Sequence, residues 1–393
     1  MMLKNSNPSP TFCAEQERFG YYEVGTERFH HKPTALMRAA ETGIHPEWHF
    51  HQPVFSQLDW TSDRVSDLKN LYQQRAQQLR SRYDYLVVSF SGGSDSWTVI
   101  KAFLDSGTHL DEVFVRWPIK ASVGQYTVSR DPHPINILSE WELALLPQLQ
   151  YFQDHMPNTK FTVLDWSDEF ISKEFNDDQW YLTNDMLNPG LFLKYNSIGA
   201  AEMQAIESGK KTCMIYAVDK PQMCMSNGNI YCYFLDKLAN KHPNNDFERT
   251  SELFYWSPDF PEITWSQARA MYRFVLSNPK TADLIDWTKP YNGVRKSLWD
   301  RLVRGVIYQD YEQLNLFQAD KGGNNVYADN DAWMMDHQNL LWMQSWESGL
   351  RNLFRSIDHK WLEVRDGQVQ GFRGFINGWY NLGPAPQVDQ KPT

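Results

Sequence analysis

The sequence predicts an α/β protein with a doubly wound, mostly parallel sheet. Short and nearly continuous apolar runs recur along the first 235 residues, and such runs are typical of strands that are buried on both faces. Amphipathic segments with helical spacing separate these runs. Strands that alternate with helices favour parallel pairing, and right-handed crossovers bring the carboxyl ends of the strands to one edge. Polar residues at those ends are therefore the first candidates for a functional site.

Four apolar runs are predicted as strands of this sheet, at 86–90, 113–117, 161–164 and 212–217. Helical spacing predicts helices at 63–80, 97–104, 136–152 and 198–206. Asn227 and Gly228 form a dipeptide that favours a tight two-residue hairpin. Beyond residue 236 the alternation ends, and helical segments at 265–276, 298–308 and 342–354 predict a mainly helical, aromatic-rich C-terminal region.

A chain of 393 residues is long enough to bury a sizeable core. We divide it into an N-terminal arm at 1–61, an α/β domain at 62–235 and a C-terminal region at 236–393. The arm is rich in Pro, His and aromatic residues, which we interpret as structural. Aromatic residues make up 15% of the chain, including 16 Trp. Core packing is the first interpretation of this content, with a stacking surface or a protein interface as alternatives.

The formal net charge of −10 opposes nonspecific binding to nucleic acid or to an anionic membrane. No apolar run approaches the roughly 20 residues that span a bilayer, and the N-terminus lacks the apolar core of a secretory signal. A cytoplasmic protein that does not bind membranes is therefore predicted. The four cysteines form no C-x-x-C pair, so we interpret them as structural thiols; they are Cys13, Cys213, Cys224 and Cys232.

The most informative stretch joins the first predicted strand to the helix after it, and it reads Ser91-Gly92-Gly93-Ser94-Asp95-Ser96. Paired glycines let backbone N–H groups surround an anion, and the helix N-terminus adds partial positive charge. Serine hydroxyls can donate to phosphate oxygens, and Asp95 is a hard oxygen ligand that suits Mg²⁺. The loop has neither the Gly-Lys-Ser/Thr of a Walker A motif nor the spaced glycines of the dinucleotide fingerprint.

This loop, placed after a hydrophobic strand, resembles the PP-loop of the N-type ATP pyrophosphatases, whose pattern is Ser-Gly-Gly-x-Asp-Ser. That superfamily includes asparagine, GMP and NAD synthetases, several tRNA thiolases and lysidine synthase, with sulfonucleotide reductases as a non-adenylating branch. The motif covers six residues, and the remainder loosely resembles phage-encoded members that are often labelled reductase-like. The resemblance implies the fold of the adenine nucleotide alpha hydrolases and cleavage of ATP between its α and β phosphates.

ATP and Mg²⁺ are the ligands that the resemblance implies. The residues at 91–96 would hold the phosphates, and Asp95 would be both catalytic and a metal ligand. In the superfamily the end of the strand predicted at 212–217 supplies polar residues to the site. Asp219 is therefore expected to be a second Mg²⁺ ligand, and Lys220 a catalytic partner of the leaving pyrophosphate.

Two further groups of residues are candidate site residues, and each group also has an ordinary structural explanation. Arg116 and Trp117 end the second predicted strand, where the superfamily binds adenine, but an ordinary strand end explains them equally well. A basic cluster could bind pyrophosphate or an anionic substrate, or form a solvated helix face. This cluster comprises Lys289, Arg295, Lys296, Arg301 and Arg304.

The reaction expected from these features is that of an ATP-dependent, AMP-forming ligase or modifying enzyme. An oxygen of a small-molecule or nucleobase acceptor would be adenylated, pyrophosphate would leave, and a nitrogen nucleophile would displace AMP. Two alternatives stay open. One is a sulfonucleotide-reductase-like enzyme, which the lack of any cysteine after Cys232 disfavours. The other is a non-catalytic, nucleotide-gated binding or assembly protein that engages a partner through its aromatic C-terminal region.

Overall fold

The computed structural model describes residues 19–64, 66–117, 119, 141, 145–167, 175–183, 187, 198–218, 220–236, 249–289, 293–308, 340–365 and 368–386. Its strands are β1 Tyr21–Val24, β2 Glu27–Phe29, β3 Glu47–His49, β4 Tyr85–Ser89, β5 Glu112–Trp117, β6 Lys160–Asp165, β7 Thr212–Tyr216, β8 Gln222–Ser226, β9 Asn229–Leu235, β10 Arg249–Leu253, β11 Leu362–Arg365, β12 Gln368–Phe372 and β13 Ile376–Pro384.

The α-helices of the described residues are α1 Lys32–Thr42, α2 Gln52–Phe55, α3 Leu68–Arg82, α4 Ser94–Asp105, α5 Leu146–His155, α6 Ala200–Glu207, α7 Glu262–Ser277, α8 Gly293–Ile307 and α9 Leu340–Ser356. Short 3₁₀ helices lie at Trp180–Leu182, Pro279–Ile285 and His359–Trp361. Throughout this described part of the chain, no helix is both long enough and apolar enough to cross a membrane.

A parallel sheet of five strands forms the centre of the protein, in the order β10-β7-β4-β5-β6. This confirms an α/β protein with a parallel sheet and confirms the four predicted strands. The chain runs from β4 outward through β5 and β6, and then returns to place β7 on the other side of β4. The strand order therefore reverses between β4 and β7, and ligands bind in open α/β sheets at such a crevice.

The fifth strand, β10, was missed because its sequence, Arg-Thr-Ser-Glu-Leu, is mostly polar. Its charged side chains are buried but paired. Glu252 accepts from Arg75 at 3.0 Å and from Tyr83 Oη at 2.6 Å, and Arg249 lies 3.2 Å from Glu202. Buried charges of this kind are tolerated when they are paired and hydrogen-bonded. The parallel sheet thus continues past residue 235, where the α/β domain was predicted to end.

The hairpin prediction at Asn227-Gly228 is confirmed, since both residues have positive φ and join β8 to β9. The C-terminal strand β13 pairs with the other edge of β9, which makes a three-stranded antiparallel sheet. The N-terminal range contributes a second small sheet, β2-β1-β3, together with α1 and α2. Described residues of all three predicted ranges share one hydrophobic core. The division at 61 and 235 stays a prediction.

A buried ion pair joins the N-terminal range to the end of β9. Lys32 Nζ lies 2.6 Å from Asp236 Oδ2 and donates to the carbonyl oxygen of Arg373 at 2.6 Å. Tyr22 Oη also donates to Asp236 Oδ2, and the backbone N–H of Phe375 donates to Oδ1. The N-terminal range, the end of β9 and the segment before β13 are therefore held at one point.

Three of the four cysteines lie in the described residues, and all three are buried free thiols. Burial raises the pKa of the Cys224 thiol to about 12, and it also raises the pKa of Cys232. Such thiols are poor nucleophiles near neutral pH, which supports the structural interpretation. Cys13 lies outside the described residues.

Candidate active site

The glycine-rich loop connects β4 to α4, as the sequence predicts. Gly92 has a φ of +71°, a conformation that residues with a Cβ atom rarely adopt. Gly93 is extended and precedes the first residue of α4. Gln148 Nε2, on α5, donates to the carbonyl oxygen of Gly92 at 2.9 Å. The loop is therefore shaped by a glycine that its backbone requires and is held by a side chain of α5.

The serines of the loop converge on its inner side. Ser91 Oγ lies 3.3 Å from Ser96 Oγ, and the backbone N–H of Ser91 also donates to Ser96 Oγ at 3.3 Å. Ser96 Oγ in turn donates to the carbonyl oxygen of Gly93 at 3.2 Å. Ser94 begins α4 and is buried. These hydroxyls lie at the N-terminus of a twelve-residue helix, an environment that favours anions.

Asp95, in the first turn of α4, is the centre of the polar contacts. Lys220 Nζ lies 3.4 Å from Asp95 Oδ1, and Tyr308 Oη donates to the same oxygen at 2.5 Å. Tyr255 Oη donates to the backbone carbonyl oxygen of Asp95 at 2.7 Å, and the carbonyl oxygen of Tyr255 itself accepts from Thr264 Oγ1. The structure thus brings together Asp95 and Lys220, which the sequence predicted to lie at the same edge of the sheet.

These contacts determine the pKa of the Asp95 carboxylate. Burial acts to raise the pKa of Asp95, but the positive charge of Lys220, the hydrogen bonds from Tyr308 and Lys220 and the charge of Arg304 outweigh it, so the pKa lies below its ordinary value. The side chain is still 29% exposed. Asp95 is therefore an ionised carboxylate that solvent or a ligand can reach.

Three neighbouring strands supply these residues. Asp95 follows β4, Lys220 follows β7 and Tyr255 follows β10. Because the strands are parallel and adjacent, their carboxyl ends meet at one edge, where the strand order reverses. The candidate site therefore lies at the position where open α/β sheets form a ligand crevice.

The donor set suits Mg²⁺ bound together with a phosphate ligand. Mg²⁺ usually binds through one or two carboxylates, retained waters and substrate phosphates. Asp95 offers one carboxylate, and its Oδ2 accepts no hydrogen bond from the residues that the structure describes. No cluster of three or more His, Cys, Asp or Glu residues able to hold a metal exists in the described ranges. Asp219, the second predicted ligand, lies outside them.

Arg116 and Trp117 end β5, the strand next to β4, as predicted. The Arg116 guanidinium lies 4.2 Å from the ring centroid of Phe114, and Nη1 lies 3.4 Å from Ser89 Oγ. The Trp117 ring is buried and lies 5.8 Å from the Trp141 ring. Both side chains therefore pack around the strand ends, and their role in binding adenine stays a prediction.

The basic cluster is divided by the structure. Arg304 lies near the end of α8, and its charge acts on the pKa of Asp95. Arg301, one turn earlier, is exposed. Lys289 lies 2.9 Å from Asp283, and Arg295 donates to the carbonyl oxygen of Asp286. Lys296 is exposed on the first turn of α8. Arg304 is therefore a member of the cluster whose charge acts on the candidate site.

Sequence reasoning missed Tyr255 and Tyr308 as site residues. Tyr255 belongs to the cluster Tyr-Trp-Ser-Pro-Asp at 255–259, whose mix of polar and aromatic residues is visible in the sequence. Its position at the candidate site can be predicted only when β10 is known to be the strand that precedes it. Tyr308 was visible as the last residue of a predicted helix, but the sequence contains no signal that this helix ends at Asp95.

An aromatic shelf, defined as Tyr231, Tyr233, Trp287 and Trp379, covers the outer face of the β8-β9-β13 sheet. Its rings contact one another at centroid distances of 5.5 to 6.0 Å. Trp287 and Trp379 are each 49% exposed. At the near end, Gln222 pairs with Tyr233 across the strands, and its side chain donates to the carbonyl oxygen of Lys220. Tyr233 of the shelf is thus paired with a residue that lies two positions after Lys220.

The described site combines a glycine loop at a helix N-terminus, a lysine and an ionised carboxylate. Together these groups can bind a polyphosphate and its cation and can stabilise charge on a leaving phosphate group. Comparison of the chain with protein-family models and with curated proteins found no match. The functional assignment therefore rests on the residues of the site and their geometry.

Proposed function

We propose that the protein is an ATP pyrophosphatase of the PP-loop kind, acting as an AMP-forming ligase or modifying enzyme. The observation that carries this proposal is the contact between Asp95, which follows the glycine loop, and Lys220, which follows the neighbouring strand. The two residues lie at the edge where α/β sheets bind nucleotides. A doubly wound fold like that of the adenine nucleotide alpha hydrolases and a cytoplasmic location are part of the proposal.

Binding would rely on positioning and charge. The loop amides, the hydroxyls of Ser91 and Ser96 and the N-terminus of α4 would hold the β and γ phosphates of ATP. Asp95, and Asp219 with it, would hold Mg²⁺, which supplies neutralisation of phosphate charge when it is bound. Lys220 is 16% exposed beside the loop and would place its ammonium charge against the leaving pyrophosphate.

The chemical step would be an in-line displacement at the α phosphorus. An oxygen of the acceptor forms a bond to that phosphorus, and the bond from the phosphorus to the bridging oxygen of the β phosphate breaks. Pyrophosphate leaves with the electron pair. A nitrogen nucleophile then attacks the activated acceptor carbon, loses a proton and displaces AMP. The chain's own contribution is orientation and stabilisation of charge on the leaving group.

The acceptor would be a small molecule or a nucleobase. The aromatic shelf, which Gln222 connects to the segment at Lys220, supports a planar acceptor, because the half-exposed rings of Trp287 and Trp379 offer stacking surface. The buried state of the described cysteines disfavours the sulfonucleotide-reductase-like alternative, which needs a reactive thiol.

The test measures pyrophosphate and AMP formed from ATP in the presence of a small-molecule extract of cells. The wild-type protein should release both products, and Asp95→Ala should abolish release. Asp105→Ala is the matched control, since it removes a carboxylate at the other end of α4 and should leave the rate near that of wild type. Unchanged release by Asp95→Ala would refute the assignment.

Mass spectrometry of ligands that copurify with the protein should find a purine nucleotide; a flavin, a nicotinamide cofactor or a haem alone would contradict the phosphate-loop interpretation. Tight ATP binding without turnover in any extract fraction would favour the nucleotide-gated binding protein. Turnover of a sulfonucleotide with reduced thioredoxin would favour the reductase alternative.

A further inference from the structure

Tyr308 reaches Asp95 from the C-terminal region. Its hydroxyl donates to Asp95 Oδ1 at 2.5 Å, a length typical of hydrogen bonds to an ionised oxygen. Lys220 Nζ lies 3.4 Å from the same oxygen. Both donors therefore use Oδ1. Asp95 Oδ2 accepts no hydrogen bond from the described part of the chain, so it is the oxygen left for another ligand.

The position of the Tyr308 hydroxyl is fixed by its surroundings. Tyr308 directly follows α8, and Tyr72 Oη donates to the carbonyl oxygen of Ile307 at 2.8 Å. Gln267 Nε2 donates to Tyr72 Oη at 3.0 Å. The Tyr308 side chain is buried, and its ring lies 5.7 Å from the ring of Tyr255. The Tyr72 contact thus holds the end of α8, and burial of the Tyr308 ring holds its hydroxyl next to Asp95.

We propose that Tyr308 is a positioning residue, which holds the Asp95 carboxylate so that Oδ2 stays available to the cation of an ATP–Mg²⁺ complex. This inference rests on the proposed function. Without the phenol, the carboxylate can turn both oxygens toward the Lys220 ammonium group, which carries three donors. Tyr308 thus keeps the Lys220 charge and the bound cation on different oxygens of one carboxylate.

The experiment measures binding of a nonhydrolysable ATP analogue by isothermal titration at a series of Mg²⁺ concentrations. Tyr308→Phe removes one oxygen atom and should raise the Mg²⁺ concentration for half-maximal binding by about tenfold, as expected when a hydrogen bond to a charged group is lost. Tyr22→Phe is the matched control, because it removes a buried hydroxyl that donates to a different carboxylate, that of Asp236. Its Mg²⁺ dependence should equal that of wild type.

A further variant tests the donor itself. Replacing Tyr308 by p-aminophenylalanine keeps the ring and a donor at the same position, and it should restore most of the wild-type Mg²⁺ dependence; this variant also serves if Tyr308→Phe fails to fold. An unchanged Mg²⁺ dependence in Tyr308→Phe, or equal changes in Tyr308→Phe and Tyr22→Phe, would overturn the positioning role alone. Absence of ATP-analogue binding by the wild-type protein would overturn the proposed function and this inference with it.

Discussion

The guanidinium of Arg75 lies 3.0 Å from the carboxylate of Glu252, and both side chains are almost fully buried. The pair joins α3 to β10, the strand that leads to Tyr255 in the candidate site. Burial lowers the pKa of Arg75, and the charge and hydrogen bond of Glu252 act against that effect. The pair is a condition for placing a polar strand inside the sheet, because either charge alone would be buried without compensation.

Removing one partner of this pair should therefore destabilise the protein strongly. Arg75→Met leaves the Glu252 charge in the interior, and we expect a loss of about 3–5 kcal/mol in the free energy of unfolding by urea. Arg351→Met removes one partner of an exposed pair on α9 and should cost less than about 1 kcal/mol. Equal losses in the two variants would contradict the role assigned to the buried pair. Adding Glu252→Leu to Arg75→Met should recover part of the loss.

Gly349 should not tolerate even a methyl group. A Cβ atom at this position of α9 would overlap the indole of Trp180, whose ring stacks on Trp346 at 3.8 Å. Gly349→Ala should therefore lower the free energy of unfolding by about 1–3 kcal/mol, although alanine favours helices. Gln344→Ala on an exposed position of the same helix is the control and should be neutral. A stabilised Gly349→Ala variant would show that the stack is looser than described.

The buried Glu202 should make stability depend on pH. Burial raises the pKa of Glu202, while Arg249 and Arg116 lower it and Glu112 raises it further. The folded protein holds this proton more tightly than the unfolded chain, so stability falls as pH rises from about 4.5 through the raised pKa. Glu202→Gln should lack this decline.

The difference in unfolding free energy between Glu202→Gln and wild type should therefore shift in favour of the variant as pH rises across that window. Urea titrations at several pH values measure it. Glu207→Gln removes a charge from an exposed position of the same helix and is the control for the loss of a negative charge. A Glu202→Gln difference that does not change across the window would contradict the raised pKa.

Gly92→Ala should weaken ATP binding. Its φ of +71° strains any residue with a Cβ atom by about 1–2 kcal/mol. Relief of that strain would displace the loop amides, so affinity for a nonhydrolysable ATP analogue should fall by about tenfold. Gly43 has the same φ at the end of α1 and has open space around it. Gly43→Ala should cost similar stability without changing affinity, and equal affinities in both variants would argue against a phosphate loop.

Arg304 and Arg301 form a matched pair on α8. Because the charge of Arg304 acts on Asp95 and Arg301 is exposed, Arg304→Ala should reduce pyrophosphate release much more than Arg301→Ala. Binding of the ATP analogue should stay near normal in both variants, as expected if the charge supports the leaving group. Steady-state release assays compare them. Equal rates in the two variants would favour the alternative interpretation, in which the whole basic cluster is a solvated helix face.

Local sequence patterns predicted the half of the site that lies close together in the chain. The strand, the glycine loop and α4 form one continuous segment, and the residue order alone places Asp95 in the first helical turn. Lys220 was found because parallel strands share an edge, which is a rule of topology. The Asn-Gly turn was equally local, since its backbone conformation depends on those two residues.

The other site residues and strand pairings depend on long-range contacts that no local sequence pattern encodes. β10 has a polar sequence that becomes strand-like only through Arg75 and Glu202, from distant parts of the chain. Tyr308 meets Asp95 across 213 positions. The pairing of β13 with β9 likewise brings the C-terminal region back to the hairpin after Lys220. Hydrophobic periodicity reports burial of one face, but it does not report which partner covers that face.

The pairing of β13 with β9 also determines when the protein can fold during its synthesis. Asp236 binds the backbone of Phe375, 139 positions later, and the strand that follows completes the sheet that begins at Gln222. A nascent chain that ends before residue 376 therefore exposes one edge of β9. We expect ribosome-arrested chains of that length to be cleaved readily by protease near 222–235, and chains that include 376–384 outside the ribosome to resist. We then expect the candidate site to form only after translation of nearly the whole described chain.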